Sequence, residues 1–500
     1  MKKIVKQRFG QSRALPFEKY GMNLDLRVQV MSVERVLELI ETMHSFEMNV
    51  LLIEWEATFP FHRHATICNQ YAYTAEEVSV ILTACREAGI EVIPLQQCFG
   101  HVEYILMHNR YASLRENTRD LSQVCPLKAD AAIEVFEEIF SELIEHHDSD
   151  YFHIGGDETR LLGHCPECAE LVRNEGKAPL YTSYVLRLIE MLKGLGKTPV
   201  IWADMLLKYP ELIEKLPRDL ILIDWNYGWK VDRFGDVSEL LKSGFEIWGA
   251  PALRSAPDNH SKTYWARHFN NLKDFVPHAK AQGYTGMIQT SWSTSGEYGY
   301  LMDHENVVAK LLPIRRVYPL TGFRILIEAF AVSVCGDEPL DPLAFIQSYG
   351  AERFALNEAD AGLLAQLLLK TSDYENAAHM LRQSDSWLLE LDGIDPRSNV
   401  DEFAHLHLII RMSMHGLKVS DLNEQFQLLG SDAQLILQLQ ATANELLEQA
   451  QQLDAEFRVL NGSTLALAEL DEEMHYRQAL LRGLTARIER LQVRAANLLL

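Results

Sequence analysis

Along the first two-thirds of the chain, apolar positions fall into short, nearly continuous runs. Between them lie longer stretches in which apolar residues recur every three or four positions. The runs are Met22–Val28, Val50–Glu56, Ile90–Gln96, Tyr151–Gly155, Pro199–Ala203, Leu220–Trp225, Phe245–Ala250 and Gly286–Trp292. Short apolar runs bounded by polar loops read as strands buried on both faces, and the longer recurrence reads as helix. Helical patterns cover Ser32–Phe46, Thr74–Ala88, Asp130–Glu145 and Tyr181–Leu195. Ser32 and Thr74 stand where N-caps belong, with acids just inside. Gly89, Gly196, Gly244 and Gly283 stand where a helix would stop before the next strand. Eight strands alternating with helices predict a (β/α)8 TIM barrel. A doubly wound open sheet is the alternative, but it would rarely need eight units.

After about Ala329 the β-rich runs stop. Residues 340–500 are rich in Leu, Ala, Gln and Glu at helical spacing, as in Ala361–Leu369 and Ala433–Leu453, with breaks at Gly393, Gly430 and Gly462. The division expected is a catalytic barrel over 1–335 and an all-α C-terminal domain over 336–500. The last stretch, Leu480–Leu500, reads either as a helix buried within its own chain or as the contact of a homodimer.

Composition narrows the class of partner. A formal net charge of −23 repels nucleic acid and anionic membranes, and no apolar stretch is long enough to span a bilayer. The first residues, Met1 to Arg8, are basic but lack a following apolar segment of the kind a secretory leader needs. Seven cysteines cannot all pair, which points to a reducing, cytoplasmic setting.

A parallel barrel gathers its chemistry at the C-terminal ends of the strands. Those ends carry Asp25, Glu54, Glu56, Gln96 to His101, Asp157, Glu158, Trp202, Asp204, Asp224 to Tyr227, Trp248 and Trp292. Aromatic rings stack on the C–H faces of a sugar while acids accept from its hydroxyls, so this mixture suits a carbohydrate.

The most informative stretch is Tyr151-Phe152-His153-Ile154-Gly155-Gly156-Asp157-Glu158, a buried strand ending in two glycines and two acids. Adjacent carboxylates can touch one ligand in two roles, a proton donor and an electrostatic helper. A retaining glycosidase also needs a nucleophile, about 5–5.5 Å from the acid when it is a second carboxylate. In Phe245-Glu246-Ile247-Trp248-Gly249-Ala250 the acid sits at the strand's beginning, the wrong end of the barrel. An acetamido group on the substrate could supply the attacking oxygen instead, with Asp157 orienting it and Glu158 protonating the leaving oxygen.

His153 to Glu158 resembles the signature of glycoside hydrolase family 20, the β-N-acetylhexosaminidases. The resemblance extends to Leu51-Leu52-Ile53-Glu54-Trp55-Glu56, Phe59-Pro60-Phe61, Ile93 to Glu103, Trp202 to Leu206, Trp225-Asn226-Tyr227 and Thr290-Ser291-Trp292. These look like the hexosaminidase D branch, in order over about residues 20–320, and leave the helical tail uncovered. The resemblance implies exo-acting, retaining removal of a terminal GlcNAc or GalNAc from a glycoside or oligosaccharide, with no cofactor required. It implies that Glu158 is the acid/base and that Asp157 holds the acetamido nitrogen and stabilises the oxazolinium. His101 would link the pair to Glu54 or Glu56. Trp202, Trp225 and Trp292 would wall the sugar pocket, and Tyr227 would reach the acetamido oxygen.

The chain departs from the family pattern at several places. An arginine usual before the first strand is replaced by Lys19-Tyr20-Gly21; Ala203 precedes Asp204; Asn226 replaces an aspartate; and Trp292-Ser293-Thr294 replaces Trp-x-Glu, with Glu297 further on. These changes leave the choice of sugar open. Cys165-Pro166-Glu167-Cys168 reads as a reduced pair or, with His62, His64 or Cys68, as a structural zinc site. The rival functions are a glycosidase with a protein nucleophile, a metal-dependent barrel hydrolase using His62 and His64, and a non-catalytic sugar binder.

Overall fold

The structure is a computed structural model that describes residues 15–294, 298–300, 303–304, 307–308, 311–313, 316–430 and 433–498. The basic residues 1–8 and Glu297 lie outside the described residues. Eight parallel strands close into a barrel in chain order. They are β1 (Lys19–Asp25), β2 (Val50–Glu54), β3 (Glu91–Leu95), β4 (Tyr151–His153), β5 (Thr198–Trp202), β6 (Ile221–Asn226), β7 (Glu246–Arg254) and β8 (Gly286–Ser291). Closure comes from β1 pairing with β8, Lys19 opposite Gly286 through Leu24 opposite Ser291.

Alternation along each strand decides what faces the barrel interior. Val50 and Leu52, Ile93 and Leu95, Val200 and Trp202, and Ile221, Ile223 and Trp225 share one buried cluster. The same parity, continued upward, aims Glu54 inward at the mouth. Tyr20 points outward onto Phe330, so its odd-numbered neighbours Asn23 and Asp25 point inward. Asp224 falls on the outward parity of β6, and its carboxylate accepts from the Tyr284 hydroxyl at 2.7 Å.

The connecting helices begin where expected. The Ser32 hydroxyl accepts from the Arg35 amide, and Thr74 and Glu77 form a reciprocal capping box, a device worth about 1 kcal/mol per cap.

Two strands differ from expectation by more than two residues at an end. β1 starts at Lys19, so Lys19-Tyr20-Gly21 lies within it rather than before it. Gly21 allows this, because a Cβ there would lie 1.7 Å from the Val50 carbonyl oxygen of the neighbouring strand. β7 runs on to Arg254, which moves Trp248 away from the mouth to the third position of the strand. There it is fully buried, and its Nε1 donates to Glu246 Oε1 at 2.9 Å. Glu246 opens β7, at the far end from the chemistry.

The chain packs as two compact units. The first comprises residues 1–253, 271–314 and 328–340 and contains the barrel; the second comprises 254–270, 315–327 and 341–500. In the second, the helices Val400–Gln427, Ala433–Asn461 and Leu467–Leu498 pack through Leu422, Leu439, Leu446, Leu481, Leu484 and Ile488. Burial of each such side chain contributes about 1.5–3 kcal/mol. The last helix therefore buries its apolar stripe within its own chain. Among the described residues no helix is long and apolar enough to cross a membrane.

Candidate active site

After β4 the backbone turns through Gly155 and Gly156, both at positive φ. A Cβ on Gly155 would collide with Gln97 Oε1 at 1.7 Å, and one on Gly100 would lie 2.6 Å from the Asp157 carbonyl oxygen. The loops after β3 and β4 can approach this closely only with glycine at these two points. Their approach brings His101 to the two acids: its Nε2 lies 3.4 Å from Asp157 Oδ2 and 3.4 Å from Glu158 Oε2. His101 and Glu158 are both left-handed, at φ 53° and 45°, as are Gln29 and Glu56 after β1 and β2, at 56° and 47°. Such a conformation costs a non-glycine residue about 1–3 kcal/mol and persists where surrounding contacts impose it.

The charges respond to this crowding. Burial works against a charge on His101, but Asp157 and Glu158 outweigh it and lift the imidazole well above its ordinary value. Burial alone would raise Glu158. The His101 hydrogen bond and charge, with Arg160 beside it, instead hold it down at about 2. Arg160 Nη2 donates to Glu158 Oε1 at 2.6 Å, while its side chain is 75% exposed. Asp157 Oδ1 is buried without a hydrogen-bond partner. An orphaned acceptor beside an acid is a position that a ligand N–H or O–H would satisfy.

Around the pair, Asp204 Oδ2 accepts from the Glu158 amide at 3.3 Å, and its Oδ1 lies 3.5 Å from Trp225 Nε1. Burial, and then the Asp157 charge, push Asp204 up to about 7. Trp202 is buried against His153 and edge-on to Trp292. Trp225 and Trp292 are each 9% exposed, and Trp292 Nε1 donates to the Tyr227 hydroxyl at 2.7 Å. Asn226 faces away from this task. Its Nδ2 donates to the carbonyls of Trp229 and Lys230, and its Oδ1 accepts from Gly228 N and Asn271 Nδ2.

Glu54 is fully buried, and neither carboxylate oxygen has a hydrogen-bond partner. Burial raises it to about 8 against the pull of Arg27, with Asp25 adding to the rise. Burial likewise lifts Glu56 well above its ordinary value, and the Glu56 amide donates to Gln96 Oε1 at 3.1 Å. The hydrogen-bonded link from Glu54 or Glu56 to His101 is absent among the described residues; a charge on His101 only opposes the rise of Glu54.

The sequence reading missed two arginines. Arg160 stands two residues after Glu158. Arg27 follows β1, forks onto both oxygens of Asp25 at 3.0 and 3.1 Å, and lies over the Trp292 ring at 5.2 Å. The signal was present in Asp25-Leu26-Arg27, an acid and a base two apart just past a strand. Ser293 donates to Asp25 Oδ2 from both its amide and its hydroxyl. Burial would raise Asp25, but Arg27 more than reverses this and lowers it.

The zinc donors named from the second loop do not meet the cysteine pair. Cys68 Sγ donates to the carbonyls of Phe59 and Phe61, His64 lies between Tyr111 and Glu138, and the His62 amide donates to Glu142. Among the described residues, the groups compact enough to hold a metal are His101, Asp157 and Glu158, and a second made of Glu116, Cys125, Cys165 and Cys168. Neither contains His62 or His64, the ligands a metal-dependent barrel hydrolase would need.

The family model described as the catalytic domain of glycosyl hydrolase family 20 matches residues 17–298. Hexosaminidase D of Bos taurus is 30% identical over 309 residues, 59% of this chain and 87% of the relative. Hexosaminidase D of Homo sapiens is 28% identical over 320 residues, 60% of this chain and 64% of that protein. A chitobiase from Flavobacterium johnsoniae superposes with a TM-score of 0.53 at 16% identity, over 97% of this chain and 72% of that one, a likeness of fold alone.

Proposed function

The chain belongs to glycosyl hydrolase family 20, the β-hexosaminidases, and from that premise we propose an exo-acting enzyme that removes a terminal β-linked GlcNAc or GalNAc with retention, using the substrate's own acetamide. The attacking atom is the acetamido carbonyl oxygen. It forms a bond to the anomeric carbon as the glycosidic C–O bond breaks and the leaving oxygen takes a proton from Glu158. Asp157 accepts from the acetamido N–H and offsets the positive charge of the oxazolinium. Glu158, now a carboxylate, takes a proton from water, which attacks the anomeric carbon from the face the leaving group left as the bond to the acetamido oxygen breaks and the acetamide is restored.

One observation carries this reading: beside Glu158, Asp157 presents a buried oxygen with no partner. The other carboxyls at the mouth suit a protein nucleophile poorly. Asp25 is consumed by Arg27 and Ser293, Asp204 by the Glu158 amide, and Glu54 and Glu56 are driven towards the neutral form by burial. Glu158 must carry a proton in the first step, yet Arg160 and His101 favour its charged form in the unliganded site. The exposed Arg160 side chain is the part that an arriving leaving group displaces, and its departure lets the proton return.

The test is a panel of aryl β-N-acetylglucosaminides, β-N-acetylgalactosaminides and plain β-hexosides, with a thiazoline that mimics the bicyclic intermediate as inhibitor. The N-acetyl substrates should be cleaved, the first-formed sugar should be the β anomer, and the thiazoline should compete. Equal rates on plain hexosides would remove acetamide participation.

A further inference from the structure

Away from the acid pair, three cysteines and a glutamate converge between the loops after β3 and β4. Cys125 Sγ lies 3.8 Å from Cys165 Sγ and 3.6 Å from Cys168 Sγ. A disulfide would need about 2.05 Å. Sulfurs each about 2.3 Å from a tetrahedral zinc stand about 3.8 Å apart. Packed thiols also sit at that separation, so the sulfurs alone decide nothing.

Glu116 decides it. The residue is 3% exposed, and its Oε1 accepts from the amides of His164 and Cys165 at 2.8 Å each. Its Oε2 is buried with no hydrogen-bond partner. One donor atom from each of the four residues lies within 4.8 Å of all the others. A carboxylate oxygen left bare beside three sulfurs is a ligand position that a cation would fill.

We propose that Cys125, Cys165, Cys168 and Glu116 bind one structural zinc ion. Three thiolates and one carboxylate oxygen make a closed tetrahedral set, with no open position for substrate. On binding, the thiols lose their protons to solvent while the zinc stays divalent. The excess negative charge is met by amides already in place: Cys168 N donates to Cys165 Sγ at 3.3 Å, and the two amides on Glu116 fix its orientation.

The ion would join two loops that carry the chemistry. Residues 114–125 fold back on themselves, with Cys125 N donating to Leu114 O and Glu116 N to Gln123 O, so that Glu116 and Cys125 meet. Val124 N donates to Phe99 O, two residues from His101, and Leu161 N donates to Gln123 Oε1, three residues from Glu158. Zinc on Cys165 and Cys168 would lock that arrangement.

The experiment is elemental analysis of the full chain, purified reduced and without chelator. About one zinc per chain is expected. Less than a tenth of that, after the stripped chain has been exposed to zinc chloride and desalted, overturns the proposal, as does stoichiometric iron or copper. Cys125→Ser and Cys165→Ser should lose the metal while Cys68→Ser keeps it; retention by Cys125→Ser also overturns the assignment. Glu116→Gln should weaken zinc about 10–100-fold in competition with a chromogenic chelator. Should the cysteine variants fail to fold, the wild-type chain loaded with cobalt(II) decides: thiolate-to-cobalt charge transfer with intense tetrahedral d–d bands supports the site, and a weak octahedral spectrum refutes it.

Discussion

His101 Nε2 stands 3.4 Å from Glu158 Oε2 and the same distance from Asp157 Oδ2, so one imidazole touches both acids. The two carboxyls nevertheless have distinct surroundings. Glu158 shares itself between His101 and Arg160, whereas Asp157 keeps an oxygen bare.

The two acids should therefore fail differently. Glu158→Gln should cost about 10²–10⁴-fold in kcat/KM for poor leaving groups and far less for activated aryl ones. Asp157→Asn should cost every N-acetyl substrate alike. A loss under about threefold for Asp157→Asn, less than 1 kcal/mol of transition-state stabilisation, would contradict its role.

Arg160 favours the charged form of Glu158. Arg160→Gln should raise the Glu158 pKa, so the acid keeps its proton to higher pH. The alkaline limb of kcat/KM then moves upward, by less than about one unit because the arginine is solvated. A limb that stays put or moves down would show that Arg160 does not set this titration.

Glu54 binds its proton up to about pH 8, against an ordinary value of 4.5. Between those values the folded chain holds a proton that the unfolded chain has released, so this group makes stability fall as pH rises, and the effect levels off above about 8. Glu54→Gln deletes that dependence. Urea midpoints at pH 5 and pH 8 should converge relative to wild type; parallel changes in both proteins would mean that Glu54 is charged throughout.

Arg27 binds Asp25 through a fork and lies over Trp292, and a lysine can reproduce neither geometry. Arg27→Lys should lower the unfolding midpoint, with a loss of about 1.5–3 kcal/mol, because lysine keeps the charge but loses one of the two bonds of the fork. It should also raise KM for N-acetyl substrates. Unchanged stability and KM together would deny Arg27 both roles.

The barrel was legible because parallel strands buried on both faces leave apolar runs, and caps such as Thr74 with Glu77 mark where helices begin. The acid pair was legible because two glycines preceded it. Side-chain destinations were less so. Trp248 looks like a mouth residue until β7 proves to continue four residues past Ala250. Asn226 looks like a ligand residue until its loop claims every polar atom. Cys125 and Glu116 lie about forty residues or more before Cys165, on a loop whose return path depends on backbone hydrogen bonds that local sequence does not encode. Arg27 was hidden by placing β1 three residues too late.

Four successive barrel strands are followed by a side-chain-bearing residue in the left-handed region: Gln29, Glu56, His101 and Glu158. A library selected only for heat resistance would drift towards glycine at these positions, each exchange relaxing the backbone. The variants so recovered should be hardier and catalytically poorer, because two of the four residues being traded away are the proposed acid, Glu158, and the imidazole beside it, His101. Resistance to heat and turnover are set against each other along this rim, and improvement of one without the other has to be sought elsewhere in the chain.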